Sequence, residues 1–157
     1  DLLIEATDNL KNKLDDFKIV VAGECYNREQ QYYELARKLG VEDCFDFKFK
    51  FVENSDIPKY FCAADVVVLP YKSATQSGII PIAYHYNKPV ITTNVGGLAE
   101  CVLHGKTGFI CDTNPQSISN GILEFFDSNE NFINNVNEYK KQFSWGIFVK
   151  NMIAAIR

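Results

Sequence analysis

Apolar positions recur along this chain in two rhythms, and the switching between them predicts the order of its elements. Leu2, Leu3, Ala6, Leu10 and Leu14 fall at helical spacing, so residues 1–14 read as an amphipathic helix. Lys18 to Ala22 (KIVVA) is a short apolar run closed by Gly23, read as a buried strand. Helical spacing returns from Arg28 to Leu39, with Tyr32, Leu35, Ala36 and Leu39 on one face and Gly40 as C-terminal cap. Residues 45–52 alternate Phe45, Phe47, Phe49 and Phe51 against Asp46, Lys48 and Lys50, the period of an edge or outer strand with one wet face.

Ser55 is expected to cap a short helix that turns Ile57, Tyr60 and Phe61 to the core, with Pro58 tolerated in its first turn. Asp65 to Leu69 (DVVVL) reads as a strand apolar on both faces, ended by Pro70. Ile79 to Tyr86 reads as a helix, Pro89 to Thr93 as a strand, Leu98 to Leu103 as a short helix ending near His104 and Gly105, and Thr107 to Cys111 as a last strand. Ser117 is expected to cap a helix running to Phe126. Residues 131–142 read as another, and residues 145–156 as a final amphipathic helix carrying Trp145, Phe148, Val149, Met152 and Ile153. Strands with no polar face, set between helices, imply a parallel sheet covered on both sides. The fold class is therefore a doubly wound parallel α/β sheet, with its ligand crevice beyond the carboxyl ends of the strands.

Length and composition narrow the function classes. The 157 residues fit one domain, and 46% hydrophobic with 23% charged residues is the balance of a globular protein. A net charge of −4 offers no basic field for a nucleic acid, which is not expected as a partner. The five cysteines (Cys25, Cys44, Cys62, Cys101 and Cys111) are an odd number, widely spaced, with no Cys-x-x-Cys pair. They read as reduced core fillers in a cytoplasmic protein, and no metal is expected. No apolar run has the length of a membrane span, and the chain opens on an amphipathic segment instead of a signal peptide.

The candidate chemistry lies between residues 72 and 100. Thr75, Gln76, Ser77 and Gly78 follow one strand and open a helix; Gly96 and Gly97 follow the next strand and open another. First-turn amides of a helix have no partner within it and carry the positive end of its dipole, so two such turns side by side are expected to present free N–H groups to a phosphate. Gly78 would let a ligand approach the main chain, and Thr75 and Ser77 would add hydroxyls; a plain capped loop is the simpler alternative. Glu100 would accept sugar hydroxyls or only offset the dipole. Lys72 would neutralise a diphosphate or stay solvated. Gly23 offers a third close approach at the end of its strand. His85 and His104 have no nucleophile or carboxylate at useful spacing, so no hydrolytic triad is defended.

Four segments, Ala63–Pro70 (AADVVVLP), Pro89–Thr93 (PVITT), Asn94–Glu100 (NVGGLAE) and His104–Phe109 (HGKTGF), in this order and separation, resemble the carboxyl-terminal, Rossmann-like domain of the GT-B glycosyltransferases of family 4, or group 1. The likeness runs from the first helix to the last. It implies retaining transfer of a sugar from a nucleotide diphosphate sugar to a glycan or lipid acceptor, with the nucleotide sugar as donor substrate and no separate cofactor. Carried onto this chain, Thr75 to Gly78 correspond to the turn that contacts the donor, the base would lie near Phe51 and Val52, and Gly23, Gly96 and Gly97 would flank the cleft. Stabilising the departing diphosphate is the catalytic role such a domain supplies.

The chain departs from the family pattern in three ways. A pair of glutamates usual around the turn is replaced by Ala74 and Ile82, neither of which ionises. The family's domain begins with a strand and an Arg and Lys pair ahead of the helix that opens this chain, and the amino-terminal acceptor domain is also expected elsewhere. Residues 1–157 are therefore expected to be the truncated, donor-binding half of a bacterial-type enzyme of polysaccharide or glycolipid synthesis, inactive alone, prone to self-association, and working in the cytoplasm at the inner face of the membrane. A nucleotide-sugar 2-epimerase of the same architecture and a non-catalytic binding module are the alternatives.

Overall fold

A computed structural model of the chain describes residues 1–155, with the side chains of Trp145, Phe148 and Asn151 outside the description. Helix α1 (Leu2–Leu10) opens where the Asp1 carboxylate accepts the Leu2 N–H at 2.7 Å, and it buries Leu2, Ile4, Ala6 and Leu10. It ends earlier than its apolar spacing predicts: the chain leaves the helix in a turn after Leu10, where the Lys13 N–H donates to the Leu10 carbonyl at 2.8 Å, and Leu14 still packs on the core before the backbone reverses at Asp16, φ 49°.

Strand β1 (Ile19–Ala22), helix α2 (Gln30–Leu39), strand β2 (Phe45–Lys48), helix α3 (Ile57–Ala63) and strand β3 (Val67–Leu69) follow. After them come α4 (Ile79–His85), β4 (Val90–Thr93), β5 (Gly108–Cys111), α5 (Pro115–Asp127), α6 (Phe132–Tyr139) and α7 (Trp145–Ala155). Trp145 and Phe148, expected on the apolar face of α7, and Ile156, its expected end, lie outside the described side chains and residues.

Every strand pairing is parallel, as the apolar strands demand. The strands form two sheets: β1 pairs with β2, Ile19 opposite Phe45, while the second runs β3-β4-β5, with Val67 opposite Val90 and Val90 opposite Gly108. One helix ties them together. Ile4 of α1 joins Ala36, Val41 and Phe45 under the first sheet, and Leu2, Ala6 and Leu10 join Ile91, Phe109, Ile118 and Ile122 under the second. Burying each such aliphatic side chain contributes about 1.5–3 kcal/mol, so α1 couples the two halves strongly.

Strand β4, central in its sheet, is buried along its whole length. Strand β1 corrects the expectation of a buried strand: burial alternates along it, and Val20, 49% exposed, lies on the outer face beside Asp46 of the Lys48–Asp46 ion pair, while Ile19 and Val21 pack on the core. Strand β2 stops at Lys48, where the Lys50 N–H turns back to the Lys48 carbonyl at 2.8 Å. The Phe alternation nonetheless reports one face correctly: Phe45, Phe47 and Phe49 stack in a row with centroids 5.0 and 5.2 Å apart, Tyr33 set edge-on against the last two.

Two caps differ from expectation. Asp56, not Ser55, occupies the N-cap of α3. In α5 the cap is Asn114, whose Oδ1 accepts the Ser117 N–H at 2.8 Å, while the Ser117 hydroxyl accepts the Asp112 N–H. An Asn-Pro start fits this geometry better, since Pro115 supplies the first helical φ. Gly40, at φ 63°, caps α2 as read.

Candidate functional site

The loops leaving β3 and β4 interlock. The Thr93 hydroxyl donates to the Tyr71 carbonyl at 2.6 Å, and the Gly97 N–H donates to the Thr75 carbonyl at 2.9 Å. Gly96 stands at φ 53°, where a Cβ would lie 1.8 Å from the Ala74 carbonyl oxygen, so only glycine lets the two loops close on one another. This corrects one half of the expected pair of donor turns. The Gly97 amide is already spent on an internal carbonyl, so Gly97 supports the neighbouring turn and offers it no free N–H.

The supported turn stands open. Thr75, Gln76 and Gly78 are exposed, and a Cβ on Gly78, at φ −67°, would meet no atom within 4 Å. Ser77 is engaged: its hydroxyl accepts the Ile79 N–H at 3.2 Å across Gly78, the N-cap of α4, and lies 3.5 Å from the Tyr71 hydroxyl. Glu100 sits in a single 3-10 turn (Ala99–Cys101) instead of a helix from Leu98 to Leu103, so there is little dipole for it to offset. Its carboxylate lies 4.0 Å from where a Gly97 Cβ would be, facing the same loop. The Lys72 ammonium is paired with the Asp1 carboxylate.

Gly23, Phe51 and Val52 are carried by the other sheet. Gly23 follows β1 at φ 136° and donates to the Lys48 carbonyl at 3.2 Å, while Phe51 beyond β2 is 63% exposed and Val52 half-buried. A cleft of about 480 Å³, lined by Asp1, Asn27, Gln31, Tyr32 and Leu35, lies past the end of β1. The Lys72 pair with Asp1 joins this cleft to the turn at Thr75–Gly78. All the candidate residues thus lie at or beyond carboxyl strand ends, as a parallel sheet requires.

Sequence reading missed two features. A groove of about 330 Å³ runs along the outer side of α4, lined by Asn54, Ile57, Pro81, Ile82, His85 and Tyr86; it forms only where the entry to α3 meets α4, which no local pattern announces. The second is Tyr84, buried in α4, whose hydroxyl donates to the Cys101 carbonyl at 2.8 Å and lies 3.0 Å from the Thr107 hydroxyl. Burial pushes its pKa up to about 12. Tyr84 thereby pins α4 to the segment after Glu100. Its signal was a tyrosine on the apolar face of a short helix.

Of the histidines, His104 accepts the Ile110 N–H at Nδ1 (3.1 Å) and packs on Phe109, a structural place. The five cysteines are all free thiols, and burial pushes Cys111 up to about 11.

Residues 1–143 match the family profile described as glycosyl transferases group 1. The chain belongs to this family. An uncharacterized glycosyltransferase of Methanocaldococcus jannaschii is 33% identical over 144 residues, 87% of this chain and 36% of that protein. A D-inositol 3-phosphate glycosyltransferase of Corynebacterium urealyticum is 28% identical over 169 residues, 99% of this chain and 39% of that one. This group 1 chain thus spans well under half the length of these curated relatives. Among solved structures, the carboxyl-terminal domain of a group 1 protein from Francisella tularensis superposes with a TM-score of 0.78 at 19% identity, covering 90% of this chain and 76% of that one. The Anabaena protein HepE, solved in complex with UDP, gives 0.74 at 23% identity over 99% of this chain and 43% of its own. The group 1 chain therefore has the fold of the carboxyl-terminal, Rossmann-like half of a GT-B glycosyltransferase. Among the described residues no helix is long and apolar enough to cross a membrane.

Proposed function

We propose that this chain is the donor-binding half of a retaining glycosyltransferase, holding a nucleotide diphosphate sugar while its sugar passes to a glycan or lipid acceptor. The observation that carries the reading is the interlock at Gly96 and Gly97, which fixes the turn at Thr75–Gly78 and leaves the space over Gly78 unfilled. Family membership and the UDP-bound relatives support the same reading.

Within it, the diphosphate rests over Gly78 and against the Thr75 hydroxyl, and Lys72 exchanges Asp1 for a phosphate oxygen. Glu100 accepts sugar hydroxyls, Phe51 and Val52 lie beside the base, and Gly23 flanks the nucleotide. Charge developing on the leaving diphosphate is stabilised by fixed backbone and one lysine, with no metal invoked. The acceptor, a growing polysaccharide or a glycolipid at the inner face of the membrane, binds a partner domain carried by the rest of the protein. Residues 1–157 alone hold the donor and transfer nothing.

Isothermal titration of the full-length protein with UDP, GDP and ADP tests this. Binding of one of the three with a preference over the others supports the reading; no heat from any of them sinks it. A nucleotide that binds while no sugar is transferred or epimerised would favour a binding module, consistent with Ala74 and Ile82 at positions where a carboxylate pair is usual.

A further inference from the structure

We infer that Tyr84 is a positioning residue for the donor sugar: its hydroxyl, through the Cys101 carbonyl, holds the turn that carries Glu100. The inference rests on the donor-binding reading above, in which Glu100 accepts sugar hydroxyls, and adds the buried group that fixes where its carboxylate stands.

The hydroxyl protons follow from the contacts. Thr107 Oγ1 accepts the Leu103 N–H at 2.9 Å, and the Tyr84 hydroxyl donates to the Cys101 carbonyl at 2.8 Å. A phenol has one proton, so across the 3.0 Å between the two hydroxyls Thr107 donates and Tyr84 accepts. The relay runs from the Leu103 N–H through Thr107 and Tyr84 to Cys101, each hydroxyl donating once and accepting once. Thr107 is fully buried and Tyr84 is 3% exposed. Breaking any link would strand a polar group away from water, so the relay has one low-energy arrangement. Burial raises the Tyr84 pKa to about 12, which keeps the proton and the direction of the relay through the neutral range.

Its consequence lies in position. Glu100 is exposed on the 3-10 turn Ala99–Cys101, between Leu98 and Val102, which are buried in one cluster with Ile80, Ala83 and Tyr84 of α4. Three residues before Glu100 the Gly97 N–H holds the Thr75 carbonyl, and one residue after it the Cys101 carbonyl is held by Tyr84. The Cys101 thiol adds a contact to the Gly97 carbonyl at 3.7 Å within the same stretch. Glu100 thus stands between a tie to the donor turn and a tie to the helix that the turn opens. In a nucleotide diphosphate sugar the sugar is bonded directly to the terminal phosphate, so a carboxylate that receives the sugar has to keep a fixed distance from the turn that receives the phosphates. Helix α4 sets both, with Gly78 at its amino end and Tyr84 on its buried face. The relay acts on Glu100 through the backbone and touches no ligand.

The experiment is calorimetric titration of full-length protein well below its melting midpoint. The probes are UDP, GDP and ADP, then the glucose, galactose, mannose and N-acetylglucosamine esters of whichever binds, and the quantity read is the affinity of the best nucleotide sugar relative to its free nucleotide. Glu100→Ala is expected to lower that ratio about tenfold, the scale of one hydrogen bond to a charged group. Tyr84→Phe keeps the ring and loses the hydroxyl; it is expected to lower the ratio about threefold or more, because a displaced acceptor loses hydrogen-bond strength steeply. Free nucleotide should bind this variant within about twofold of the wild type. Added to Glu100→Ala, Tyr84→Phe should lower the ratio no further, whereas a merely structural role would weaken both probes together. Thr107→Ser, which keeps the relay, should match the wild type, and Thr107→Val, which breaks it, should match Tyr84→Phe, so the relay is read by a second route if Tyr84→Phe folds poorly. An unchanged ratio in Tyr84→Phe and Thr107→Val, equal losses for nucleotide and nucleotide sugar, or a ratio unmoved by Glu100→Ala would each overturn the inference; if Gly78→Val still abolished binding, the donor turn would stand without it. A wild type that binds none of the nucleotides would overturn both.

Discussion

The Gly97 N–H and the Thr75 carbonyl, 2.9 Å apart, join two loops that leave different strands. This bond decides what each glycine of the region is for. Gly96 and Gly97 are where the loops touch, and Gly78 is where they leave space. One pair is structural and the other position faces out, although in the sequence all three look alike.

Gly96→Ala is therefore expected to damage the fold itself. Its Cβ would meet the Ala74 carbonyl at 1.8 Å from a left-handed backbone, and the combined strain should cost about 2–4 kcal/mol. Thermal unfolding checks it: a clear drop in midpoint together with lost nucleotide binding is expected, and an unchanged midpoint would mean that the loops do not interlock as described.

Gly121 in α5 sets two effects against each other. An alanine in a helix interior gains about 1 kcal/mol over glycine. Here the new methyl would sit 2.4 Å from the buried Cys111 sulfur and 3.6 Å from Phe109, and overpacking a core typically costs about 1–3 kcal/mol. Gly121→Ala should lower the midpoint. A rise would show that the seam between α5 and β5 has slack.

Lys72→Ala should separate stability from binding. The Lys72 and Asp1 pair is largely exposed, so its loss should change stability by at most about 1 kcal/mol. Nucleotide diphosphate affinity should fall, and the affinity of the uncharged nucleoside should not. Equal losses for both would remove Lys72 from the diphosphate.

Alkaline pH gives a fourth test. Cys111 and Tyr84 have folded pKa values of about 11 and 12 against ordinary values of 9.0 and 10.0, chiefly through burial. Both groups are raised, so the folded state holds their protons more tightly. The stability this contributes is complete below pH 9 and is lost as pH climbs through the folded values. Denaturant midpoints should decline from pH 9 upward. Tyr84→Phe should lower stability at pH 8, since it orphans the Cys101 carbonyl, and flatten the decline above pH 10; an unchanged decline would exclude Tyr84 as its source.

Much of the fold was legible because the strands are apolar without interruption and the helices carry one apolar face. VVVL, VITT and GFIC became β3, β4 and β5 within two residues at each end. What the sequence hid was non-local. Nothing near Val20 announces that it lies on the outer face of β1, and nothing near Gly97 announces that its amide is taken by Thr75. The groove was equally hidden, since Asn54 and His85 come from separate elements. Serine favours the N-cap, which is what points to Ser55 and Ser117, yet Asp56 and Asn114 stand one and three residues away with equal or better propensity and take those places.

The most direct test of a diphosphate resting over Gly78 is calorimetric titration of full-length Gly78→Val beside the wild type. Gly78 has an ordinary backbone and open space above it, so the variant should melt with the wild type. It should also lose nucleotide diphosphate binding, because the new side chain fills the place of the phosphate. A normally folded variant that binds with unchanged affinity would contradict the account.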